Sequence, residues 1–172
     1  VTYQGAKIGE EFVAVNSILM QFIIFSSFLL DAYAFSTESV VGYTVGRGVQ
    51  KSFLNTSKNS FELSFFTSII LSLFYILFAK YIINFLTDLD VIRFMSYSFI
   101  FWIILIPPVA SFCYQLDGLF IGASQTKEIR NAMIVSVLGY IGVSILLTRY
   151  LGNHGIWFSL LLFMIFRAAT LQ

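Results

Sequence analysis

The stretch FVAVNSILMQFIIFSSFLL, residues 12–30, carries no charged side chain and decides the fold class. A helix needs about 20 apolar residues to cross a hydrocarbon core about 30 Å thick, and this stretch is of that length. No water reaches the backbone in hydrocarbon, so its donors and acceptors must pair within the segment, and the segment is helical. Similar runs follow at 63–86, 91–123, 132–147 and 155–171, and the first continues through a mixed stretch to Gly46. Charged and turn-forming residues fill the gaps: Arg47, Lys51, Lys58 and Glu62; Asp88 and Asp90; Lys127, Glu128 and Arg130; Arg149, Gly152 and His154. The expected fold is therefore an all-α polytopic membrane protein. It has about five transmembrane helices, and residues 1–8 form the tail of a sixth.

Composition agrees. Of the 172 residues, 58% are hydrophobic, 18% aromatic and 11% charged. A soluble domain has roughly 25% charged residues, so a water-soluble monomer is excluded. The net charge of +1 provides no field for nucleic acid. One cysteine, Cys113, permits neither an intrachain disulfide nor a cysteine metal cluster. The sequence opens on Val1 with no signal peptide before the first apolar run, and the expectation is a fragment of a longer chain.

Two runs exceed one straight span. At 1.5 Å per residue, 12–46 extends about 52 Å and 91–123 about 50 Å. The second contains Pro107-Pro108, which removes ladder hydrogen bonds, and is expected to form one helix kinked there. Orientation follows from Lys and Arg near the ends of the runs. Arg47, Lys51, Lys58, Lys127, Arg130 and Arg167 fall on one side, and Lys7, Lys80, Arg93 and Arg149 on the other. This bias of six to four puts the carboxyl terminus in the cytoplasm.

Three acids lie inside apolar runs: Asp31, Glu38 and Asp117. An ionisable group at that depth costs several kcal/mol unless it faces protein or water, which makes each a candidate transport or cation-coupling residue. Asp31 and Glu38, seven apart, share a helix face with Ala34 and Gly42. Glu38 precedes Arg47 by nine residues and Asp117 precedes Lys127 by ten, so both acids lie about 14–15 Å inside the flanking charges. Each acid has a second reading, as a fixed hydrogen-bond partner for a neighbouring helix. The pairs Gly42-x-x-x-Gly46 and Gly118-x-x-x-Gly122, with Gly139 and Gly142, read as sites of close helix packing. Asn16 and Gln21 suit either a cavity wall or interhelical hydrogen bonds, and His154 a cap or surface position. No zinc-binding His pair, nucleophile elbow or phosphate-binding glycine loop occurs, so no catalytic or metal site is expected and the chain does not read as an enzyme.

Two stretches, LLDAYAFSTESVVGYTVGR (29–47) and YQLDGLFIGASQTKEIRNAM (114–133), resemble the multidrug and toxic compound extrusion (MATE) family, and its DinF-type branch in particular. GAKIGEEFVAVNSILMQF (5–22) and FRAATL (166–171) are similar to the same branch. The resemblance implies a fold of twelve helices in two lobes, with residues 1–172 as the carboxyl-terminal lobe: helices eight to twelve and the end of seven. It implies antiport, with entry of H+ or Na+ driving export of organic, often cationic compounds by alternating access. It implies no cofactor beyond the coupling ion. The implied partners are small organic molecules, membrane lipid and the missing amino-terminal lobe of the same polypeptide, and the implied location is a bacterial inner membrane. Asp117 falls near a position where several branches carry a cation-binding acid. The alternative is a flippase for lipids or lipid-linked saccharides in the wider superfamily, for which a basic cavity is expected. Lys80 is the one basic residue read within an apolar run.

Overall fold

A computed structural model describes residues 2–48 and 50–171, so Val1 lies outside the described residues. Among the described residues seven helices follow in order: α1 (Thr2–Ile8), α2 (Glu10–Gly46), α3 (Gln50–Leu86), α4 (Asp90–Tyr97), α5 (Ile100–Gly122), α6 (Thr126–Leu151) and α7 (Asn153–Thr170). No strand occurs among the described residues. Helices α2, α3, α5 and α6 are long and apolar enough to cross a membrane. The fifth apolar run is α7, where Asn153, His154 and Arg167 dilute an 18-residue helix. The chain is thus an all-α integral membrane protein; among the described residues four helices qualify as spans by length and composition, against about five expected.

Several helix boundaries differ from the expectation. Lys58 and Glu62 were read as loop residues but lie within α3, whose backbone is helical from Gln50. They form an exposed i,i+4 pair at 3.7 Å, as charged residues can when a helix extends beyond hydrocarbon into water. Residues 91–123 form two helices instead of one kinked helix, with the break at Ser98-Phe99. Helix α5 continues through Pro107 and Pro108. Pro108 has no N–H for the carbonyl of Ile104, and Ser72 of α3 donates to that oxygen at 2.8 Å. The break at Ser98-Phe99 leaves α5 with 23 residues, about 35 Å, which is one span.

Helix α5 is central and packs against α2, α3, α6 and α7. The α2–α5 seam is close because its glycines lack side chains. A Cβ on Gly118 would collide with the Ala34 backbone, and one on Gly122 would lie 2.6 Å from the Glu38 carbonyl oxygen. Gly42 is at ordinary contact with the Gly122 carbonyl. A Cβ on Gly46, Gly139 or Gly142 would meet nothing within 4 Å among the described residues, so these three make no close helix contact there. Gly155 lies against the backbone of Leu147 and lets α7 fold back on α6 through Gly152. At the start of α4, Arg93 donates to the carbonyls of Thr87 (2.7 Å) and Asn84 (2.9 Å), tying it to the end of α3.

The core joins Leu19, Phe22 and Leu30 of α2 to Tyr75 of α3, Ile106 of α5 and Trp157 of α7. Aliphatic and aromatic residues of α3 and α6, including Leu77, Phe85, Leu138 and Ile145, are exposed, as lipid-facing surfaces require.

Candidate functional site

Helix α2 brings Asp31, Ala34 and Glu38 to one face at spacings of three and four, and the glycine seam holds α5 against that face. Beside the seam is a cavity of about 240 Å³. Asp31, Ala34, Phe35 and Glu38 of α2 line it, with Tyr114, Asp117, Gly118 and Ile121 of α5, Ile129 of α6 and Arg167 of α7. The three acids picked out by the sequence therefore share one cavity. Asp117 is 8% exposed, while Asp31 and Glu38 are half-buried.

Arg167 was not expected here. Its Nη2 donates to Asp117 Oδ2 at 2.5 Å, and the side chains are 15% and 12% exposed. In the sequence alone Arg167 counts as a marker of the cytoplasmic surface, and Lys80 as the one basic residue within an apolar run. The pairing corrects both points and reduces the charge bias to five against four. The clue was available: Arg167 interrupts an apolar run between Phe166 and Ala168, the criterion that singled out the acids. Lys80 is exposed on α3, with its ammonium 5.4 Å from the centre of the Tyr97 ring.

Polar contacts between helices frame the cavity. The hydroxyls of Ser27 and Tyr114 are hydrogen bonded at 2.7 Å. Thr37 lies 2.7 Å from buried Gln115, a further link between α2 and α5. Asp117 Oδ1, Arg167 Nε and Gln115 Nε2 are buried without a partner among the described residues. Buried polar atoms ordinarily find protein or water partners. Those of Asp117 and Arg167 leave a carboxylate and a guanidinium each half-coordinated beside the cavity. Among the described residues, no three His, Cys, Asp or Glu side chains converge closely enough to hold a metal ion. The cavity sets three carboxylates, groups that can each carry a proton or a small cation, around one guanidinium counter-charge.

A second polar cluster lies near the other end of α2. Asn16 Nδ2 donates to Asn153 Oδ1 (2.7 Å), and Asn16 Oδ1 accepts from Asn153 Nδ2 (3.0 Å) and Trp157 Nε1 (2.9 Å). Asn16 is thus an interhelical tie, whereas Gln21 is exposed at an apolar groove. His154 is exposed and accepts from Trp102 Nε1 at 3.1 Å, which fits the expected surface position. Cys113 is buried and free.

The sequence model of the family described as MatE matches residues 2–151. The chain is 32% identical over 171 residues to DNA damage-inducible protein F of Escherichia coli (strain K12). That alignment covers 99% of this chain and 37% of the relative, so the chain spans a little over a third of the protein it matches. No solved structure matches it.

Proposed function

The chain belongs to the MatE family, and on that premise we propose that it forms the carboxyl-terminal lobe of a cation-coupled efflux antiporter. The observation that carries the reading is the cavity in which Asp31, Glu38 and Asp117 gather around Arg167 at the α2–α5 seam. Ionisable groups are expensive within a membrane and mark ion pathways when they face a shared polar space. In this reading H+ or Na+ binds at Asp117, and the change in charge shifts the balance between inward-open and outward-open arrangements. Organic, often cationic compounds leave in exchange. The reading is of a carrier and not an enzyme, in a bacterial inner membrane with the carboxyl terminus in the cytoplasm. Organic substrates, lipid and the amino-terminal lobe of the same polypeptide are its partners.

A flippase would require a cavity that attracts lipid phosphate. Here carboxylates outnumber the guanidinium three to one, which favours cationic cargo. The test is efflux of ethidium by the full-length protein in proteoliposomes under imposed pH or sodium gradients. Asp117→Asn is expected to abolish the dependence on the gradient. Unchanged efflux with unchanged ion dependence would remove Asp117 from the mechanism.

A further inference from the structure

The charges in the cavity are unequal in number and incompletely bonded. A carboxylate and a guanidinium that meet squarely form two parallel hydrogen bonds. Asp117 and Arg167 form one, and Asp117 Oδ1 and Arg167 Nε are left buried and unpartnered among the described residues. On the α2 wall, Asp31 and Glu38 make no ion pair among the described residues. One guanidinium therefore serves three carboxylates and engages a single oxygen.

We propose that Arg167 is a tethered counter-ion that exchanges between Asp117 on α5 and the acids Asp31 and Glu38 on α2, making it a positioning residue for coupling. This rests on the reading of the cavity as the coupling site. When a cation neutralises Asp117, the guanidinium keeps its own charge, because arginine does not deprotonate in proteins. An unpaired charge in this setting is costly, and the carboxylates on the α2 wall are the available replacements. Asp31 and Glu38 face the cavity from α2, Tyr114 and Asp117 from α5, and Arg167 from α7; the α6 wall contributes only Ile129. No second cation competes for the acids from within the cavity wall.

The framework supplies a fixed point for such a motion. The Asn16–Asn153–Trp157 cluster joins α2 to the start of α7, while Arg167 is in the last turn of α7. Exchange of the guanidinium onto Asp31 or Glu38 draws the cavity end of α7 toward α2 about that joint. Loading of Asp117 is thereby converted into a change of helix packing.

The experiment uses the full-length protein in proteoliposomes, with ethidium as probe and pH or sodium gradients imposed. The deciding variant is Asp31→Asn/Glu38→Gln, which leaves the Asp117–Arg167 pair in place. Exchange predicts that it loses gradient-driven efflux by about tenfold and that its pH or sodium response flattens. Arg167→Lys should retain the response and Arg167→Gln should lose it. If Arg167→Gln fails to fold, Asp117→Asn/Arg167→Gln removes the stranded acid and is expected to fold without a gradient response. Wild-type efflux and ion response in Asp31→Asn/Glu38→Gln would overturn the exchange, as would a wild-type response in folded Arg167→Gln. If Asp117→Asn abolishes the response while the α2 double variant keeps it, the exchange alone fails. If Asp117→Asn keeps the response, the coupling reading fails as well.

Discussion

Two polar clusters anchor α7, one to α2 and the other to α5, and they are bonded in different ways. Near the start of α2, Asn16 exchanges two hydrogen bonds with Asn153 and accepts a third from Trp157. None of these side chains has a buried polar atom left over. At the cavity end, Asp117 and Arg167 share one bond, and each retains an unpartnered buried atom. A satisfied neutral network has little to gain from rearrangement, whereas a half-satisfied charged one is open to water, ions or a new partner. On the proposed reading the asparagine cluster is a joint and the acid cluster the working site. Burial alone would not separate them, since Asn16 is 1% exposed and Asp117 8%.

The largest effect should come from the α2–α5 seam beside the acid cluster. Gly118→Val forces a side chain into the Ala34 backbone and is expected to cost about 3 kcal/mol, read as a lower unfolding temperature in detergent. Asn16→Leu comes next, because it strands the polar groups of Asn153 and Trp157. A loss of about 2 kcal/mol is expected, with the ion response of the surviving transport unchanged. An altered ion response in that variant would break the distinction between joint and working site.

Ser72→Ala is smaller, at about 1 kcal/mol, since it exposes one carbonyl that Pro108 has already freed. Replacing the whole charged pair in Asp117→Asn/Arg167→Gln should change stability by less than about 1 kcal/mol while the gradient response disappears. That separation of stability from function is the sharpest form of the comparison. Gly139→Ala should be neutral or stabilising by about 0.5 kcal/mol, because the position is an open helix surface.

The acids were legible because Asp31, Glu38 and Asp117 break apolar runs, and burial of charge in lipid is costly enough to need a reason. Their convergence was legible in part, from helix spacing and equal depth. Arg167 met the same criterion, but its place near the end of the last run disguised it as a surface charge. Helix ends were harder to read. Charges mark where hydrocarbon stops, and a helix can continue into water, as α3 does around Lys58 and Glu62. The prolines carried a strong breaking signal that Ser72, distant in sequence, offsets through the Ile104 carbonyl. Ser98-Phe99 carried no such signal and holds the break. Glycine spacing identified surfaces able to pack closely but not which of them has a neighbour. Gly118 and Gly122 meet α2, and Gly46 and Gly139 meet nothing among the described residues.

On the proposed reading the acid cluster is wet, whereas the core beside the asparagine joint is dry. The direct measurement is the reaction of single cysteines with a charged, membrane-impermeant thiol reagent in the full-length protein, on a background in which buried Cys113 is replaced by alanine. Cysteines replacing Phe35 and Glu38 on the cavity wall should react, and one replacing fully buried Leu19 of the core should not. Equal and negligible labelling at all three would contradict the account and leave the acids as packing partners.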